Sequence, residues 1–259
     1  MERKLPNFLV ESNTGSEIGK IIGIVSGKGG VGKSLITCLL ANAIAKKGYK
    51  VGIMDADITG PSIPKYYGIK EKATGDQEGH LNPVLTANGI RVMSMNLMLG
   101  KDDESVIWRG PVIAGVVKQF YQDTNWGELD YLFVDMPPGT GDVPLTVFQS
   151  LPINGIVVAM SPSALVEMIV KKAIDMARKM GKNILALVEN MSYLECPECG
   201  THIEVFGSST VDELAAKENI DTIVKIPINP EISKKTEEGK IADLDVYFLD
   251  DLAKKIEDL

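Results

Sequence analysis

A single α/β domain, its mostly parallel and twisted sheet covered by helices on both faces, is the fold this sequence predicts. Three observations predict it. From residue 20 onward, short β-branched runs alternate with longer stretches of helical period. Nearly all of those runs are apolar on both faces, as buried parallel strands are. A glycine-rich stretch, SGKGGVGKS at residues 26–34, separates the first run from the first helical stretch, which is where such sheets carry a phosphate-binding loop.

Taken in order, the first nineteen residues read as a loose arm, leaving residues 20–259 as the domain. KIIGIV is the first strand and ends at the glycine loop. Residues 33–47 form the first helix, closed by Lys46, Lys47 and Gly48, with cations at its negative end. KVGIMD is a strand ending at Asp55. GIKEKATGDQEGHLNP, residues 68–83, is the most polar and least periodic stretch and reads as a surface loop. IRVMS, YLFVD and GIVVAM follow as strands, the last two ending at Asp135 and Met160. Residues 163–180 form a second helix closed by Arg178, Lys179 and Gly181, and NILALVE and TIVKIP complete the strands at Glu189 and Pro227. In the last segment Val246, Leu249, Leu252 and Ile256 have helical spacing.

The 259 residues, 44% hydrophobic and 24% charged, suffice for one large domain. With 27 Lys and Arg against 35 Asp and Glu, the net charge of -8 gives no general attraction to nucleic acid or an anionic membrane, so neither is expected as a partner. No signal-peptide core and no run of roughly 18 apolar residues is present, and a cytoplasmic location is expected. Three cysteines are too few for a disulfide framework.

Gly27, Gly32, Lys33 and Ser34 satisfy G-x-x-x-x-G-K-[ST] between a strand and a helix. This marks a P-loop NTPase site. Backbone N–H groups of such a loop curl around phosphate oxygens, Lys33 neutralises the outer phosphates, and the Ser34 hydroxyl can ligate magnesium. Asp135, at a strand end in LFVDMPPGTGD, resembles the acid that holds magnesium through its water shell. Asp57 is expected to orient or deprotonate the attacking water, with Asp55 as a further contact to the magnesium shell. PPGTGD, residues 137–142, reads as a switch loop sensing the terminal phosphate. One lysine suffices for such a loop, yet Lys28 is a second.

KGGVGKS resembles the deviant phosphate loop of the ATPases that include MinD, ParA, the nitrogenase iron protein and the Mrp-type iron-sulfur cluster carriers. The match is closer to the Mrp type, on DADITGPSIPKYYG, IWRGP, GELDYLFVDMPPGTGD, VENMSYLECPECG and IPINPEIS, spread from residue 20 to about 240. The resemblance implies ATP and magnesium as ligands, held by Gly27, Lys28, Gly29, Gly30, Val31, Gly32, Lys33 and Ser34. It implies a homodimer with nucleotide between the subunits, in which Lys28 of one copy acts on ATP bound by the other. Asn190 matches a residue that contacts adenine. Trp108 and Arg109 match the pattern too, and packing is the expected role. Where relatives have threonine, Leu35 stands here, which is expected to weaken nucleotide binding by about one neutral hydrogen bond. By the same resemblance, the chain is expected to do without the extra N-terminal domain of some Mrp proteins and the four-cysteine arm of their eukaryotic relatives.

ECPECG places Cys196 and Cys199 two residues apart, in a metal loop spanning 190–206. Two thiolates supply half of a tetrahedral zinc site or half of the ligands of a 4Fe-4S cluster, and a symmetric dimer supplies the rest. A redox pair is disfavoured, because Glu195 and Glu198 raise the thiol pKa values and no predicted helix starts there. Spacing does not separate zinc from a cluster, and His202 could add a ligand. The resemblance favours the cluster. Cys38, among Leu35, Leu39 and Leu40, reads as a buried apolar residue.

The function expected is therefore an ATPase, slow in hydrolysis, that carries a 4Fe-4S cluster at its dimer interface from scaffold proteins to apo-proteins. The alternative is a MinD- or ParA-like positioning ATPase with a bridging structural zinc, and a third is an ATP-gated reductase. The C-terminal helix argues against membrane positioning, since its polar face carries Asp243, Asp245, Asp250, Asp251, Glu257 and Asp258 against Lys254 and Lys255.

Overall fold

In the computed structural model, residues 8–99, 110–162 and 164–259 are described. β1 (Glu17–Ser26) runs into α1 (Lys33–Lys46), β2 (Val51–Asp55) and α2 (Ile63–Tyr66). The short β3 (Thr74–Gly75), β4 (Leu81–Asn82) and β5 (Val84–Leu85) precede β6 (Arg91–Met93), α3 (Gly110–Gln122) and β7 (Glu128–Asp135). α4 (Asp142–Ser150), β8 (Gly155–Met160), α5 (Ala164–Lys179) and β9 (Ile184–Asn190) follow. A hairpin, β10 (Leu194–Glu195) with β11 (His202–Ile203), is followed by α6 (Val211–Lys217), β12 (Ile223–Ile226), α7 (Pro230–Glu237) and α8 (Asp250–Glu257).

Eight strands form one sheet in the order β12-β9-β8-β1-β7-β2-β6-β5, with every pairing parallel except β5 to β6. The seven parallel strands are the seven that the apolar runs predict. β1 lies at the centre, and the chain crosses to one side of it for β2 and β7 and to the other for β8 and β9. That reversal opens the crevice at the carboxyl ends of the strands in which α/β sheets bind ligands.

Strand periodicity of two sorts the core into layers. Ile22, Ile24, Ile53, Phe133 and Val188 pack on one face with α1 and α8. Ile21, Val25, Met54, Leu132, Val134 and Leu187 pack on the other, against Phe120 of α3, Phe148 of α4 and Ile174 of α5. α1 is buried along nearly its whole length, including Thr37 and Asn42, because it lies between the sheet and α8. Cys38 is fully buried, and burial pushes its thiol pKa well up, so it is an inert apolar residue as expected. Val246, Leu249, Leu252 and Ile256 are all buried in the same layer, each side chain contributing about 1.5–3 kcal/mol. Packing against the domain is thus the use of the C-terminal helix.

The arm is tied down further toward the N-terminus than its polarity suggests. β1 starts at Glu17, the Val10 N–H donates to the Ser150 carbonyl at 2.9 Å, and Asn13 bonds through its backbone to Gln122 and through its side chain to Thr124 and Asn125. Polar residues anchor it, so hydrophobic periodicity does not reveal it. The polar loop at 68–83 contains the β3–β4 hairpin. Its turn is held by Asp76, whose carboxylate accepts from the backbone of Glu78 and His80 and from the Asn125 side chain.

Candidate functional site

The glycine loop leaves the end of β1 and turns directly into α1. Gly27 is buried, and a Cβ there would lie 2.5 Å from Ile169 Cγ2 and 2.9 Å from the Ile169 carbonyl carbon, so only glycine fits. Gly32 has φ of 89° and a Cβ on it would meet Asn190 Nδ2 at 2.2 Å. Lys28, Gly29 and Gly30 are exposed while Val31 is buried, and the Ser26 hydroxyl braces the turn by donating to the Lys28 carbonyl at 3.0 Å. Leu35 is half-buried and packs on the α1 face of the core, so the hydroxyl missing there is exchanged for apolar contact.

Three carboxylates meet the loop. Asp55 and Asp135 are register partners at the carboxyl ends of β2 and β7, and both are fully buried. Lys33 Nζ lies 2.7 Å from Asp135 Oδ1 and 3.7 Å from Asp57 Oδ2. The Ser34 hydroxyl donates to Asp135 Oδ2 at 2.5 Å and the Thr37 hydroxyl to Asp135 Oδ1 at 3.0 Å. Ser94 donates to Asp55 Oδ2 at 2.9 Å, and the Asp57 N–H donates to Asp55 Oδ1 at 3.2 Å. Thr37 and Ser94 were not among the expected site residues. Thr37 could have been found from its place one turn after Lys33 on the same helix face. Ser94 lies on a strand end that only the sheet brings beside Asp55, and no local pattern marks it.

One buried lysine among these acids leaves the site short of positive charge. Burial first, and then the neighbouring Asp135 charge, push the Asp55 carboxyl up to about 7, and burial likewise raises Asp57. In the unfolded chain Asp55 ionises near 4. Between those values the folded protein holds the extra proton, so stability falls as pH rises from about 4 to about 7 and is level above. Asp55→Asn in magnesium-free buffer is expected to flatten that slope and to stabilise the protein by roughly 2–4 kcal/mol at pH 8. Urea unfolding at pH 5 and pH 8 measures this, and an unaltered slope would contradict it.

The segment 137–142, expected to switch, lies against the loop, since the Gly139 N–H donates to the Ser26 carbonyl at 2.9 Å. On the other side β9 ends at Asn190, which is buried and donates its side-chain amide to the Val31 carbonyl at 3.0 Å. Met191 follows in the left-handed region at φ 58°, and Ser192 closes the turn by donating to the buried Glu189 carboxylate at 2.5 Å. From this turn the hairpin projects. In it the Cys196 N–H donates to the Thr201 carbonyl and the Gly200 N–H to the Cys196 carbonyl, both at 2.9 Å. Cys196 is half-buried and Cys199 exposed. The Thr201 hydroxyl, 3.2 Å from Cys199 Sγ, together with the Thr201 N–H lowers the Cys199 thiol pKa, the opposite of the rise expected from Glu195 and Glu198, because hydrogen bonds at the sulfur outweigh those carboxylates here.

His202 pairs with Glu195 across the hairpin and stacks on Tyr193, ring centroids 3.9 Å apart. By strand alternation this is the face away from Cys196, so the structure does not bring His202 to the cysteine pair. Among the described residues no group of three or more His, Cys, Asp or Glu is placed to hold a metal ion. Lys28, Gly29 and Gly30 line a cavity of about 390 Å³ together with Ser161, Pro162, Met191 and Phe206, so the segment after β11 borders the loop. Trp108 and Arg109 lie outside the described residues. Among those residues no helix is long and apolar enough to cross a membrane.

The family described as ParA, NUBPL iron-transfer P-loop NTPase matches residues 17–256. The chain is 49% identical to an iron-sulfur cluster carrier protein of Clostridium perfringens over 230 residues, covering 86% of this chain and 81% of that protein. It is 45% identical to the carrier protein of Saccharolobus solfataricus, covering 85% and 74%. A nucleotide-binding protein of Archaeoglobus fulgidus, solved in complex with ADP and with cobalt found, aligns at a TM-score of 0.78 and 46% identity over 87% of this chain and 88% of that one. A chain of the MinC:MinD cell division protein complex from Aquifex aeolicus aligns at a TM-score of 0.67 with 20% identity over 93% of this chain and 96% of that one, a likeness of fold.

Proposed function

This chain belongs to the ParA/NUBPL iron-transfer P-loop NTPase family, with the iron-sulfur cluster carrier proteins as its relatives, and from that premise we propose that it is an ATP-hydrolysing, homodimeric carrier of a 4Fe-4S cluster. The observation that carries the reading is the root of the cysteine hairpin. β9 ends in a side chain bonded to the nucleotide loop, and Cys196 follows six residues later. Cargo site and nucleotide site therefore share one short piece of backbone.

In this reading the loop N–H groups and the α1 N-terminus receive the phosphates of ATP. Lys33 exchanges its contact with Asp135 for the outer phosphates, and Asp57 orients the attacking water. Lys28 of the second copy meets the charge that develops on the transferred phosphoryl group. The buried pair Asp55 and Asp135, with the Ser34 hydroxyl, offers hard oxygen atoms in a site with surplus negative charge, which suits magnesium. Bound there through Ser34 and the water contacts of the acids, it would neutralise phosphate charge.

Cys196 and Cys199 of each copy supply two of the four thiolates, so the cluster is cargo held only by a pair of subunits. ATP binding tightens that pair and hydrolysis loosens it, releasing the cluster to apo-protein clients. Identities of 45–49% with cluster carriers against 20% with MinD favour the carrier over a positioning ATPase with a bridging zinc.

Anaerobic reconstitution with iron and sulfide tests the reading. About four irons per dimer are expected, and none in a Cys196→Ala, Cys199→Ala variant. One zinc per dimer and no iron would replace the carrier by the structural-metal alternative. Unchanged cluster delivery by a variant unable to bind ATP would remove the coupling to nucleotide.

A further inference from the structure

The two cysteines of the hairpin are not equivalent. Thr201 lies just before β11, its carbonyl is fixed by the Cys196 N–H, and its β-branched side chain has few rotamers. Its hydroxyl is thereby held 3.2 Å from Cys199 Sγ, where it accepts from the free thiol and, when the sulfur binds a metal as thiolate, is the partner with a proton to donate. Gly200, at φ of 70°, turns the backbone so that this approach is possible. Cys199 is also the more exposed of the two thiols.

Resting on the carrier reading above, we infer that Thr201 is a positioning residue which makes Cys199 the ligand that lets go of the cluster. A donor hydrogen bond to a thiolate draws charge from the sulfur and weakens its donation to a metal, and such bonds set cluster potentials. In delivery an acceptor thiolate forms a new sulfur–iron bond as the Cys199 sulfur–iron bond breaks. Cys199 departs with the electron pair of the broken bond while its sulfur stays within hydrogen-bond distance of the Thr201 hydroxyl, and the oxidation state of the cluster does not change. Cys196, half-buried at the base of the hairpin, holds on until the second exchange.

Thr201→Val keeps the shape and removes the donor, while Thr201→Ser keeps the donor. Two readouts are used, cluster transfer to an apo-ferredoxin of the four-iron type and release of cobalt(II) from the cobalt-loaded dimer to EDTA. Valine is expected to slow both about tenfold, the weight of one hydrogen bond to a charged group, and to move the cluster midpoint potential negative. Serine is expected to restore all three. Valine within twofold of wild type, or serine as slow as valine, would overturn the role of Thr201. A wild type that takes up no iron would sink the carrier reading instead, and the cobalt release rates would still decide for or against Thr201.

Discussion

Lys28→Ala is expected to lower ATP hydrolysis at least a hundredfold while leaving nucleotide affinity of the isolated chain within about threefold. The two loop lysines differ in what already neutralises them. Lys33 is 6% exposed and paired with Asp135 and Asp57, so its charge belongs to its own subunit. Lys28 is exposed on the open side of the loop, where its charge can serve a neighbour. Acting across the interface, it should matter for the transition state and little for binding. Mixing separates this from an action within one subunit. Lys28→Ala and Asp57→Asn chains, each inactive alone, should recover about a quarter of wild-type activity when combined. Half of the dimers are then mixed, and each has one complete site. No recovery on mixing would place Lys28 in its own site.

Much of this was legible in the sequence, for physical reasons that vary by residue. Parallel strands buried on both faces must be apolar throughout, so all seven stand out as runs, and the P-loop glycines stand out because close approach at Gly27 and positive φ at Gly32 admit nothing larger. Asp55 and Asp135 were recognisable as acids at strand ends. Their register pairing, which makes them one electrostatic unit, exists only in the folded sheet. The same holds for Ser94, brought to Asp55 from 39 residues away. Thr201 and His202 show the finer limit. Neighbours in sequence, they fall on opposite faces of the hairpin, one beside Cys199 and the other stacked on Tyr193. A metal-ligand pattern counts residue types and does not see that alternation.

The buried acids make a second large effect expected. Lys33→Met keeps the aliphatic stem and removes the cation, leaving Asp135 and Asp55 fully buried with no counter-charge of comparable proximity among the described residues. Breaking a buried pair from one side costs roughly 3–5 kcal/mol, because the remaining charge stays desolvated. In magnesium-free buffer at pH 8, Lys33→Met should therefore lose about that much stability in urea unfolding. Adding Asp135→Asn should return most of the loss, since the amide carries no charge, its oxygen accepts from Ser34, and its NH2 donates to the Thr37 hydroxyl, which keeps its own bond to the Lys33 carbonyl. The loss should also shrink at pH 5.5, below the raised value of about 7 at Asp55, where that carboxyl is already protonated. Neither variant should bind ATP, so stability and nucleotide affinity part company in the double variant. A single variant as stable as wild type, or a double no better than the single, would mean that Lys33 is not what keeps these acids in the fold.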